Sequence, residues 1–153
     1  MPKWNQGTYQ PNNPKKYIGD HKPIFRSSWE LSLMRWCDGH PDVINWGSEC
    51  VKIPYWNPFK NKVSTYVPDF LIVYRDKNGN QKAEVIEVKP KKEVTMETAR
   101  TEHDKMSVIL NTSKWESAQQ YCKKNGLTFR VVTEEQLFRK PPQPKKRGRK
   151  KRK

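Results

Sequence analysis

Three residues have the types and spacing that could do chemistry: Asp69, Glu87 and Lys89. Side chains alternate across a β-strand, so in the run VIEVK Glu87 and Lys89 share one face while Glu84, Ile86 and Val88 take the other. An acid and a lysine on an otherwise apolar strand sit where burial penalises both charges, and both need partners. The preceding segment supplies one. A three-residue turn, Lys77-Asn78-Gly79 with Gly79 left-handed, pairs Asp76 with Asn80, and continuing that register sets Asp69 opposite Glu87. An even-numbered turn would shift the pairing by one and put Asp69 on the wrong face unless a bulge restored it. Carboxylates facing across strands, about 4.5–5.5 Å apart at Cβ, repel each other, and a hard divalent cation between them removes the repulsion. Mg2+ suits the pair because it keeps most of its waters and takes only one or two protein carboxylates plus a phosphate oxygen; Mn2+ is the alternative. Lys89 on the same face adds a second positive charge near the attacking water or the scissile phosphate. The chemistry such a set predicts is hydrolysis of a phosphodiester by in-line attack of water.

Elements must hold these residues. Ser27 and Glu30 fit an S-x-x-E capping box opening a helix that Gly39 closes, with Trp29, Leu33 and Trp36 on one face. Residues 50–55 read as a strand, followed by a polar loop through Asn61. YVPDFLIVYRD and KAEVIEVK read as the two strands of the hairpin, with Pro68 near the start of the first, where its missing N–H does least harm. A helix is expected from about residue 94 to 110, and a second one behind a Ser113/Glu116 capping box and before Asn125-Gly126. LTFRVV is a last strand, and TEEQLF is one more helical turn capped by Thr133 and Gln136. This order predicts an α/β fold with a mixed central sheet flanked by helices.

Composition bounds the partners. The chain has 153 residues, enough for one domain, and a net charge of +15 from 31 Lys/Arg and 16 Asp/Glu. Residues 139–153 hold ten Lys/Arg and no acid, which leaves 21 against 16 in residues 1–138. The balance suits a polyanion, double-stranded DNA above all, because each Lys or Arg near a phosphate releases condensed counterions. In the tail, Lys145, Lys146, Arg147 and Arg149 are candidate DNA contacts, as are Lys91 and Lys92 just after the active strand. A membrane partner is not expected, since no long apolar run and no lipid-anchor signature is present. Three scattered cysteines make neither a disulfide framework nor a C-x-x-C zinc site and suggest reduced thiols in a cytosol. No small-molecule cofactor is expected. Trp29, Trp36, Trp46 and Trp115 read as core. Tyr55 and Trp56, beside Lys60 and Lys62, could stack on DNA. Lys114 and Gln119 read as an ordinary exposed helix face, and residues 1–24 as an extended arm on the surface.

Pro68-Asp69 on one strand and Glu87-Val88-Lys89 on the next resemble the PD-(D/E)XK nuclease motif. The helix FRSSWELSLMRWC, with PDFLIVY, VIEVKPKKE, SKWESAQQYCKKNG and TEEQL, resembles the TnsA-like branch and the head-completion nucleases of tailed phages across most of residues 24–138. The resemblance implies a restriction-endonuclease-like αβββαβ core in residues 25–138, between the arm (1–24) and a disordered basic tail (139–153). It implies Asp69, Glu87 and Glu30 as metal ligands with the Val88 carbonyl, Lys89 as catalytic, and action late in head assembly before tail joining. That places the protein in the host cytoplasm or at the neck of the virion, with portal, neck or other capsid proteins as further partners. Glu30 carries two competing readings, metal ligand and helix cap. No base-reading helix is visible, so little sequence specificity is expected. The rival class is a non-enzymatic DNA-binding neck protein on a nuclease scaffold.

Overall fold

The strand that carries Glu87 runs through Val85, Ile86 and Val88, all buried, and the rest of the fold covers its two faces. The computed structural model describes residues 6–137. In chain order the elements are β1 (Gly7–Thr8), β2 (Ile24–Phe25), α1 (Ser28–Gly39), β3 (Val43–Ser48), β4 (Ile53–Asn57), β5 (Lys62–Tyr66), β6 (Phe70–Arg75), β7 (Gln81–Val88), α2 (Glu102–Lys124), β8 (Thr128–Val132) and α3 (Glu134–Leu137). The central sheet has the order β3-β6-β7-β8; β6 is antiparallel to both neighbours, and β8 joins β7 in parallel after the α2 crossover. This is a mixed sheet with helices on its two faces, an αβββαβ order into which the separate β4–β5 hairpin is inserted.

Alternation along β7 divides the core. Ile86 and Val88 pack with Met34, Cys37 and Trp46 on the α1 side, while Val85 packs with Phe129, Ala118 and Cys122 on the α2 side. Tyr55 and Tyr66 extend the second cluster, so the β4–β5 hairpin closes the α2 side.

Four features differ from the sequence expectations. The strand β3 lies in a stretch, DVINWGS, whose Asn, Gly and Ser hide any alternation. The segment YVPDFLIVYRD is two strands broken at Val67-Pro68-Asp69, because Pro68 has no N–H to continue a ladder. The two expected helices are one. Its cap is Thr101, whose hydroxyl accepts from Asp104 N–H while the Asp104 carboxylate accepts from Thr101 N–H; Ser113 lies inside the helix and donates instead to the Trp56 carbonyl. Trp36 is not core. The buried face of α1 is Glu30, Met34, Cys37 and Asp38, so Trp36 falls to the side, about half exposed, its ring against His40 at 4.7 Å.

Glu30 and Asp38 lie on that inner face, and both are buried. Asp38 gathers the preceding chain: its carboxylate accepts from the Tyr9 hydroxyl at 2.7 Å and from the N–H groups of Asn12 (2.7 Å) and Asn13 (3.0 Å). These bonds hold the Asp38 carboxyl below the ordinary carboxylate value, against the opposing effect of burial. Tyr9 and Tyr17 then pack their rings on Trp46, and Ile18 N–H donates to the Trp46 carbonyl.

Candidate active site

The β6–β7 hairpin has the expected register. Asp76 N–H donates to the Asn80 carbonyl across a turn in which Gly79 has φ +78°, and the ladder runs from Arg75 opposite Gln81 to Phe70 opposite Ile86. One step beyond, Asp69 and Glu87 interlock. Asp69 N–H donates to Glu87 Oε1 at 3.2 Å, and Val88 N–H donates to Asp69 Oδ2 at 2.8 Å. Each carboxylate is thus fixed by the backbone of the other's neighbourhood. Glu87 is 4% exposed and Asp69 keeps part of its surface open. Burial, then the charge of Glu87, pushes the Asp69 carboxyl well above its ordinary range. Glu87 also moves up through burial, opposed first by the Lys89 ammonium. Lys89 Nζ is 4.0 Å from Glu87 Oε2, on the same side of the strand, and Lys89 N–H is anchored on the Val132 carbonyl.

The α2 side of the site adds residues that sequence reasoning left aside. Lys114 is half-buried, with its Nζ 5.7 Å from the Tyr55 ring centre and 5.5 Å from that of Tyr66. Burial, then the charge of Lys89, lowers its pKa; Glu87 and Asp69 pull the other way, which places the ammonium within electrostatic range of all three. The signal was present in the sequence only as a lysine on an amphipathic helix; the hairpin rings that seat it come from 48 to 59 residues earlier. Tyr66 Oη is buried beside Glu87 and Trp115 without a hydrogen bond of its own, and burial raises its pKa.

Glu30 approaches from α1. Ser27 Oγ accepts from Glu30 N–H at 3.2 Å and donates to Glu30 Oε2 at 3.1 Å, so the helix cap is real. Burial, then the Asp69 charge, pushes the Glu30 carboxyl up to about 7. Capping therefore leaves the carboxyl within range of the Asp69 charge. Even so, among the described residues no three His, Cys, Asp or Glu side chains converge closely enough to hold a metal ion together. The donor set is the facing pair, with Glu30 near but outside it. A hard cation that takes one or two carboxylates fits such a set; a zinc-type cage does not.

Lys91 and Lys92 are turned to acids elsewhere: Lys91 Nζ to Glu135 at 2.6 Å and Lys92 Nζ to Asp104 at 3.8 Å. Both pairs include exposed lysines, so they hold weakly. Lys145, Lys146, Arg147 and Arg149 lie outside the described residues. A groove of about 770 Å³ lined by Leu33, Trp36, Tyr74, Glu84 and Arg130 lies on the α1 side of β7, on the face opposite Glu87.

Residues 40–134 match the family described as TnsA-like endonuclease, N terminal. The chain belongs to that family. It is also similar to the head completion nuclease of Enterobacteria phage T4, 37% identical over 142 residues, which cover 86% of this chain and 92% of the relative. The TnsA-like match spans Asp69, Glu87, Lys89 and Lys114, whereas Glu30 precedes it.

Proposed function

We propose that this chain is a Mg2+-dependent DNA endonuclease of low sequence specificity that acts in phage head completion. The observation that carries the reading is the interlocked Asp69–Glu87 pair with Lys89 on the same side. Two facing carboxylates, one buried and one partly buried, with raised pKa values are an unfavourable arrangement unless something positive joins them. Asp69 and Glu87 would hold the ion, with the Val88 carbonyl and Glu30 as the family's further candidates; Mn2+ would serve in place of Mg2+. When bound, such an ion supplies Lewis-acid stabilisation of phosphoryl oxygens and a more acidic water.

The chain's own residues do the rest. Lys89, held beside Glu87, offers an ammonium to the charge that develops on the scissile phosphate. Lys114, seated on the Tyr55 and Tyr66 rings, brings a second one from the opposite wall. The family and the name of its phage T4 relative support DNA as substrate and head completion as the setting. Action there places the protein in the host cytoplasm during assembly, with capsid or portal proteins as neighbours. The Lys/Arg-rich residues 139–153 would add sequence-independent affinity.

The test is plasmid DNA with Mg2+, treated with wild type, Asp69→Ala and Lys89→Ala, with DNA binding measured in parallel. Cutting by wild type alone, with binding retained by all three, supports the enzyme. Equal cutting by all three overturns the site; binding without cutting by any of them points to the structural neck protein instead. Removing residues 139–153 should weaken binding and flatten its salt dependence while cutting chemistry persists.

A further inference from the structure

We infer that the β4–β5 hairpin is a base-stacking arm that directs the site to DNA carrying unpaired or terminal bases. This rests on the nuclease reading above and adds the form of DNA. The hairpin alternates: Ile53, Tyr55, Asn57 and Tyr66 face inward, and Trp56 and Val63, a cross-strand pair, face outward. Trp56 is 50% exposed, Val63 66%, and Phe59 in the turn 49%. Trp56 and Val63 lie side by side and Phe59 follows in the turn, a grouping of exposed apolar side chains that marks a binding surface.

The backbone under them is fixed. Asn57, itself buried, accepts through Oδ1 from the N–H groups of Phe59 and Lys60, both at 3.0 Å. Asn61 takes the left-handed φ of +53° that closes the turn, and Ser113 of α2 donates to the Trp56 carbonyl. The backbone that carries the rings is therefore held in place, so less ordering of the arm is needed when they bind.

Charge selects the partner. No acid occurs from Cys50 to Pro68, while Lys52, Lys60 and Lys62 are all exposed. Aromatic faces flanked by ammonium groups match bases flanked by phosphates. Inside a duplex each base is covered by its neighbours, so only unpaired, frayed or terminal bases offer a face to Trp56 and Phe59. Position completes the case. β5 leads within three residues from Tyr66 to Asp69, and the inner face of the same hairpin seats Lys114. The arm is thus joined directly to the segment that carries Asp69.

The experiment uses the full chain in EDTA, which prevents metal-dependent cutting, with a forked duplex carrying 2-aminopurine in its unpaired arm and a blunt duplex of the same length. Wild type should bind the fork about tenfold more tightly and quench the probe, in line with stacking of one base. Trp56→Ala/Phe59→Ala should lose the preference and the quenching, keep its blunt-duplex affinity, and melt at the wild-type temperature. Trp56→Leu, which keeps apolar bulk without a ring, should lose most of the quenching; this separates stacking from folding should the double variant melt early. Retained fork preference in the variants, an equal loss on both DNAs, or no preference in wild type overturns the inference; the second is what a general duplex contact would give, the last what a protein-binding patch would give. A wild type that cuts plasmid while showing any of these leaves the nuclease reading intact; one that neither binds nor cuts DNA removes both.

Discussion

Asp69→Asn should make the metal-free protein more stable while ending its function, and the size of the gain should depend on pH. The wild-type Asp69 carboxyl is raised well above its ordinary value by burial and by Glu87. Between the unfolded and folded pKa values the folded state binds the extra proton, so stability falls as pH rises through that window, by about 1.4 kcal/mol for each pH unit. An unfolding entropy of about 2.1 cal/mol/K per residue over roughly 130 ordered residues makes this about 5 °C of Tm per pH unit, somewhat less because Asp69 is partly exposed. Asparagine is isosteric, and its amide oxygen can still accept from Val88 N–H. The assay is thermal unfolding in EDTA from pH 5 to 8, for wild type and Asp69→Asn. The two curves should lie closest at the acid end and draw apart by several degrees toward the alkaline end. Addition of Mg2+ at pH 8 should raise the wild-type Tm and leave that of the variant unchanged. Parallel pH profiles, or an equal response to Mg2+, would refute the argument that a buried carboxylate pair waits for a cation.

Glu30→Gln keeps acceptors for the Ser27 hydroxyl but removes a carboxyl raised from 4.5 to about 7. Its metal-free stability advantage should grow as pH rises through that window, to at most about 3 kcal/mol; an unchanged Mg2+ affinity would assign Glu30 to the cap alone. Lys114→Ala should lower the single-turnover cutting rate by roughly ten- to a hundredfold, and an unchanged rate with a lowered Tm would reduce Lys114 to a cover for the tyrosine rings. Asp38→Ala strands the Tyr9 hydroxyl and the N–H groups of Asn12 and Asn13, and should lower stability by about 3 kcal/mol in denaturant unfolding with the cutting rate per folded molecule retained.

The candidate trio was legible because it is local. Asp69 and Glu87 are joined by one hairpin, and the parity of a single turn fixes their facing positions, with Gly79 supplying the left-handed residue that turn needs. What failed was set by distant partners. Trp36 looked like core because α1 was read by hydrophobicity alone, whereas two acids, Glu30 and Asp38, occupy the buried face and shift it. Ser113 and Glu116 matched a cap pattern, yet nothing local ends the helix before them, and Ser113 found its partner in Trp56. Lys114 could not be placed without knowing that β4 and β5 fold over α2. The strand β3 pairs with β6 across some 25 residues and has no alternation of its own to announce it.

The tie between Asp38 and residues 9–13 sets an order of events in synthesis. The arm leaves the ribosome before its anchor on α1, which follows more than 20 residues later, and before Trp46, on which Tyr9 and Tyr17 rest. Trp46 is itself held by β3, which pairs with β6 only once residues to 75 have emerged. A segment made early is thus among the last to dock. Until it does, Asp38 is an unpaired acid on the inner face of a helix, and the nascent chain has a reason to stay open there while the strands of the sheet assemble.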